Sequence, residues 1–90
     1  MNKAQLIERI ATSANFSKSQ AEVILNCTLE NIATAVKRGE EVKLVGFGTF
    51  TKLKRKARTG RNPQNGKSIK IPAAWFPKFK PGSDFKELIN

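Results

Sequence analysis

At residues 39–42 the spacing of apolar side chains changes from helical to extended. No other feature of this 90-residue chain constrains its fold as much. Before the switch, Ala21, Ile24, Leu25, Thr28, Leu29, Ile32, Ala33 and Val36 recur every three or four residues, one continuous stripe along a helix. After it, Val42 and Leu44 alternate with Lys43, the period of a strand. A chain that runs helices first and strands second is α+β rather than a βαβ repeat. The expected architecture is an N-terminal helical hairpin (residues 1–39), a small antiparallel β-sheet (40–82) and a short C-terminal helix (83–90), within one domain spanning 1–90.

Local signals fill in this outline. Asn2 is placed to cap a first helix carrying Leu6, Ile7, Ile10, Ala11 and Ala14, and Asn15-Phe16 breaks it. Ser17 and Gln20 read as a capping box for the second helix. Lys37 and Arg38 suit its negative end, and Gly39 supplies a left-handed stop. Gly46-Phe47-Gly48 is a tight turn, and Thr49 begins a second strand in which Lys52, Lys54 and Lys56 share a face and Arg55 lies on the other. Ser68–Ile71 reads as a third strand, separated by the turn-rich segment Thr59–Lys67. These runs make a long protruding β-hairpin arm at about 55–74. Trp75, Pro77 and Phe79 then alternate with Phe76, Lys78 and Lys80 in a returning strand. Ser83 is expected to cap the last helix, with Phe85, Leu88 and Ile89 on its apolar face.

Charge is concentrated in one segment. Residues 51–82 hold ten cations and no acid, while the rest of the chain is balanced, so this segment carries the whole formal charge of +10. Solvated surfaces mix signs because a one-sign patch repels itself. Such a segment calls for a polyanion, nucleic acid before an anionic membrane or an acidic protein. There is no His, and Cys27 is the single cysteine, so neither a disulfide framework nor a Cys/His zinc site can form within the chain. With no nucleophile–base cluster and no glycine-rich phosphate loop, an enzyme is not expected, nor is a cofactor. No apolar run reaches the ~18 residues that span a membrane, and the N-terminus has no signal-like apolar segment. A soluble, reducing, cytoplasmic setting is expected, with Cys27 a small core residue.

Without its arm the chain has too little body to bury the stripe of the second helix, which Val23 and Cys27 widen. Domains of this size hide only about 60% of their unfolded surface. An intertwined homodimer of two-fold symmetry is the expected solution, and it brings two basic arms together. Seven extended residues, Arg55 to Arg61, would reach about 23 Å, enough to cross a major groove about 12 Å wide. The arm's cations are suited to phosphates. Asn62, Gln64 and Asn65 could contact adenine but are ordinary turn residues. Pro63 reads first as a turn former, with an apolar wedge between stacked bases as the alternative. A major groove would admit the ribbon unaltered, a minor groove about 6 Å wide must open first, and physics alone does not choose between the grooves.

Four motifs carry a resemblance: Val45-Gly46-Phe47-Gly48-Thr49-Phe50, Ala57-Arg58-Thr59-Gly60-Arg61-Asn62-Pro63-Gln64, Ile71-Pro72-Ala73-Ala74 and Phe79-Lys80-Pro81-Gly82. In order and spacing they resemble the bacterial histone-like HU family, with integration host factor a close relative. The resemblance covers all 90 residues. It implies an intertwined dimer whose arms embrace double-stranded DNA in the minor groove, bending, wrapping and compacting nucleoid DNA with little sequence specificity. Pro63 would be the intercalating residue, and this wedge is a mechanism known for the family itself. Arg55, Arg58 and Arg61 would line the groove, Asn62 and Gln64 would flank the wedge, and Lys3, Lys80 and Lys86 would hold flanking backbone. Lys52 and Lys54 before the arm, and Lys67 and Lys70 within it, complete the expected DNA-binding set. Trp75, Phe76 and Ser83 depart from the family pattern, a basic residue, a small aliphatic one and a lysine being usual there.

The expected partner is therefore double-stranded DNA, preferably bent, nicked or in a junction, because part of the bending cost is then absent. The homodimer is the expected assembly, with pairing to a paralogue left open. Two other readings remain: a sequence-preferring DNA-bending subunit like integration host factor, and a basic RNA- or ribosome-associated protein.

Overall fold

A computed structural model describes residues 1–90. Its elements run α1 (Lys3–Ala14), α2 (Lys18–Lys37), β1 (Val42–Leu44), β2 (Gly48–Arg55), β3 (Arg58–Arg61), β4 (Ser68–Ile71), β5 (Ala74–Pro81) and α3 (Ser83–Ile89). The expected α+β order is present. Two compact units divide the chain, Met1–Thr34 and Ala35–Asn90, so the boundary falls inside α2.

The first unit is held by its helix ends. Asn2 caps α1 in a reciprocal box: its Oδ1 accepts from the Gln5 N–H and its own N–H donates to Gln5 Oε1, both at 2.9 Å. Asn15 ends α1 in the left-handed region, at φ 58°, a conformation Asn tolerates better than most residues. Ser17 and Gln20 form the second expected box, with the Gln20 N–H on Ser17 Oγ at 3.2 Å and the Ser17 N–H on Gln20 Oε1 at 3.0 Å. An exposed ion pair, Lys18 Nζ to Glu8 Oε1 at 3.2 Å, ties the start of α2 to α1. Ala11 and Ala21 are the buried apolar side chains.

The second unit begins with the end of α2. Gly39, at φ 88°, donates to the Val36 carbonyl, and Glu40 donates to that of Ala35. This pair of bonds is a Schellman closure, which needs the left-handed residue that Gly39 supplies. A three-stranded antiparallel sheet follows, in the order β1-β2-β5. Cross-strand partners share a face. Val42, Phe50 and Phe79 make one row on the apolar face; Lys43, Thr49 and Lys80 make the adjacent row on the other. On the apolar side four phenylalanines cluster. Phe47 stacks on Phe85 at 4.9 Å and tilts against Phe79 at 5.4 Å, and Phe79 meets Phe50 at 4.8 Å. Such pairs are worth about 0.5–1.5 kcal/mol each beyond the area they bury. They lock the β1–β2 turn, β5 and α3 together.

Three expectations are corrected. Ser83 does not cap α3: Gly82 is the N-cap, with no side-chain bond, and Ser83 is the first helical residue. The arm is not one continuous ribbon. The sheet's ladder ends at Arg55–Ala74, and a separate two-stranded sheet, β3-β4, starts at Arg58–Ile71. The register runs unchanged across the gap, and it would set Ala57 opposite Pro72. Proline has no N–H to give a ladder, so the pairing lapses there. Lys56 accordingly lies outside any strand. Cys27, finally, is exposed in the single chain, where its sulfur accepts from Asn31 Nδ2 at 3.3 Å.

No large side chain is fully buried. Along the α2 stripe Ile24 and Leu29 remain 45% and 47% exposed, and Val23 beside them 67%. Leu88 and Ile89, on the expected apolar face of α3, are also exposed, while Phe85 is half-buried against Phe47.

Candidate nucleic-acid interface

One face of the three-stranded sheet is a groove floored by small polar residues and edged by ammonium groups. Lys43, Thr49 and Lys80 cross it in one row, and Thr51 with Lys78 in the next. Leu53 with Phe76 and Arg55 with Ala74 continue the face towards the arm. Lys86 of α3 stands at the groove's other end. One carboxylate, Glu41, borders this groove, so its field is strongly positive. The threonines matter because short side chains leave room for a ligand to approach the backbone between the lysines.

The arm prolongs this face. Its ribbon pairs Arg58 with Ile71, Thr59 with Lys70, Gly60 with Ile69 and Arg61 with Ser68. Alternation then gives it two unlike sides. Ile69, Ile71 and Gly60 form an apolar strip with Arg58 at its base, while Thr59, Arg61, Ser68 and Lys70 make the polar side. A Cβ at Gly60 would sit 3.0 Å from Ile71 Cδ1, the far end of a side chain that need shift only a few tenths of an ångström to admit it.

The tip is built by two asparagines. The Asn62 N–H donates to the Lys67 carbonyl and the Asn62 carbonyl accepts from the Gly66 N–H, both at 2.8 Å. Asn62 Oδ1 accepts from the Gln64 N–H at 2.9 Å, and Asn65 Oδ1 from the Lys67 N–H at 3.0 Å. Both side chains therefore spend their oxygen on the turn. Gly66 takes φ 68° to close it. Pro63, exposed, stands at the apex, where its lack of an N–H costs no bond.

The expected residues thus fall in five places. Arg58, Arg61 and Lys70 lie on the ribbon, and Asn62, Pro63, Gln64 and Lys67 at its tip. Arg55, Lys80 and Lys86 line or end the groove. Lys3 is the exposed first residue of α1, in the other compact unit. Lys52 and Lys54 point to the opposite face, in register with Pro77 and Trp75. Lys52 Nζ donates to the Lys37 carbonyl at 2.8 Å, closing the end of α2, and lies 4.5 Å from the centroid of the Trp75 ring; Lys54 lies 5.8 Å from it. The sequence reading passed over Lys43, Lys78, Thr49 and Thr51. Their signal was the phase of the alternation: Lys43 and Lys78 fall opposite Val42, Leu44, Pro77 and Phe79 in their own strands. No cluster of His, Cys, Asp and Glu suited to a metal occurs, and no helix is long and apolar enough to cross a membrane.

A small sheet with one lysine-edged face, prolonged by a two-stranded basic arm, defines a β-ribbon module for a polyanion. The chain belongs to the bacterial DNA-binding protein family, whose model matches residues 1–90. It is 51% identical to the DNA-binding protein HU-beta of Pseudomonas aeruginosa over 90 residues, and 48% identical to that of Escherichia coli, in both cases over the whole of either chain. Among solved structures it is similar to HU of Anabaena in a cocrystal with DNA, with a TM-score of 0.94 at 44% identity over 99% of this chain and 97% of that one. HU of Thermotoga maritima matches over the full length of both chains, with a TM-score of 0.71 at 34% identity.

Proposed function

We propose that this protein is a histone-like architectural protein of the nucleoid that binds double-stranded DNA with little sequence preference and bends it. The observation that carries this reading is the register: it sets Lys43, Lys78, Lys80 and Arg55 on one face that runs on into the arm. Family membership and a relative described in complex with DNA support it. The lysines are point charges for phosphate oxygens, and the arginines can fork onto phosphates or enter a narrow minor groove. The side-chain oxygens of Asn62 and Asn65, which a bidentate contact to adenine in a major groove would use, are taken up by the turn, so affinity comes from phosphate neutralisation and preference from DNA deformability.

In this reading Arg58, Arg61, Lys67 and Lys70 follow the sugar–phosphate rails while Pro63 enters a base step of the minor groove. Unstacking costs a few kcal/mol and is offset by the protein surface that bent DNA can cover. Asn62 and Gln64 flank the wedge. Lys80 and Lys86 hold duplex on the sheet, Lys3 holds flanking backbone, and Lys52 and Lys54 act chiefly through the arm's root. The protein works in the cytoplasm as a homodimer: one chain leaves Ile24 and Leu29 of the α2 stripe exposed, and a second copy supplies the cover. No catalytic step or cofactor is involved.

The test is a titration of intact, nicked and four-way DNA at two salt concentrations, with duplex RNA as competitor. Tighter binding to nicked and four-way DNA, and weak competition by A-form RNA, are expected. Equal affinity for all forms, or preference for RNA, would overturn the reading. Protection of one defined sequence in footprinting would move it to a sequence-preferring bending subunit.

A further inference from the structure

We propose that Phe76 is a positioning residue for DNA binding, holding the Arg55 guanidinium flat at the junction of sheet and arm with its N–H edge turned outward. The inference rests on the DNA-binding reading above. Arg55 is the last residue of the β2 ladder before the pairing lapses. Register puts it on the groove face, with Ala74 opposite and Phe76 two residues along the same face. Its guanidinium carbon lies 4.8 Å from the centroid of the Phe76 ring. Phe76 is half-buried, whereas Arg55 is exposed.

The chemistry of the pair explains why this arrangement serves an anion. A guanidinium stacks through its flat face, while its five N–H donors lie in the plane and point away from the ring. Stacking therefore leaves every phosphate-binding donor free. It also removes rotamer freedom before the ligand arrives, which reduces the entropy lost on binding. A small aliphatic side chain at 76 has no quadrupole and could not do this. The neighbouring aromatic has the contrary effect. Trp75 points to the other face and keeps Lys52 and Lys54 there, over its ring. Two consecutive aromatics thus give the cations on each face of the arm's root a ring to lie against.

The variants Phe76→Leu, Phe76→Tyr and Arg55→Ala, with the double variant Arg55→Ala/Phe76→Leu, are to be titrated with nicked duplex at low salt. Phe76→Leu should weaken binding about three-fold per protomer, the range of a partly exposed cation–π contact. Phe76→Tyr should bind like the wild type. In the Arg55→Ala background Phe76→Leu should cause no further loss. Wild-type affinity for Phe76→Leu, or additive losses in the double variant, would overturn the proposal. If Phe76→Leu does not fold, the wild-type protein decides by nuclear magnetic resonance. The Arg55 side-chain methylene signals should be shifted upfield by the ring current of Phe76, and unshifted signals would overturn it. A wild type that fails to bind duplex DNA at all would instead sink the functional reading, while the ring-current shift would still be seen.

Discussion

The ring of Phe79 lies against the backbone of Gly48. A Cβ at Gly48 would stand 2.5 Å from Phe79 Cε1 and Cζ and 2.7 Å from the Lys80 carbonyl oxygen. A ring edge can shift a little; a strand carbonyl in a ladder cannot. Gly48→Ala is expected to destabilise the fold by about 1–3 kcal/mol, the usual cost of overpacking. Urea unfolding followed by circular dichroism would show it as a lower midpoint, and an unchanged midpoint would mean that the sheet yields more easily than this packing implies.

Lys52 is expected to act on stability rather than on DNA. Its ammonium group closes the carbonyl end of α2 at Lys37 and sits over Trp75, away from the groove. Lys52→Met should lower the unfolding free energy by about 1 kcal/mol, the net worth of one hydrogen bond. The salt dependence of DNA binding should stay the same. A flatter dependence with unchanged stability would return Lys52 to the phosphate-contacting set.

Phosphate neutralisation sets the salt slope. If a dimer covers about ten phosphates, log K should fall with log salt at a slope near −9. Arg58→Ala with Arg61→Ala removes up to four of those contacts per dimer and should bring the slope near −5. The two arginines lie on opposite sides of the ribbon, so their losses are expected to add. An unaltered slope in the double variant would take the arm out of the contact surface.

Pro63 is exposed at the apex of a turn that its two asparagines already hold closed. Pro63→Ala should therefore leave the turn intact. Energy transfer between labelled duplex ends should report less bending, with a smaller loss of charge-driven affinity. Full bending by the variant would reduce Pro63 to a turn former.

Pairing of two copies is expected to make stability depend on concentration. The melting temperature should rise with protein concentration, because assembly favours the folded state by mass action. Leu29→Lys, which places a charge in the uncovered α2 stripe, should abolish the dependence along with the fold. A concentration-independent melt of the wild type would show that one chain is sufficient.

What the sequence by itself determined are features whose causes are local. The box of Asn2 with Gln5, the box of Ser17 with Gln20, and the left-handed stop at Gly39 involve residues within a few positions of one another. Backbone sterics and short-range hydrogen bonds decide them wherever they occur. The acid-free segment and the Arg-Asn-Pro tip were legible for the same reason, since charge and turn chemistry are read along the chain. Alternation along β2 already separates Lys52 and Lys54 from Arg55; tertiary structure alone decided which cations of β1 and β5 join each face and what each face meets. The pairing of β2 with β5 sets Lys52 against Trp75 and the carbonyl end of α2, and Arg55 against Phe76 and the groove. It also broke the arm at Ala57, because the residue opposite, 15 positions away, is a proline. Register is a property of two strands together, and period-two alternation in either strand alone cannot state it.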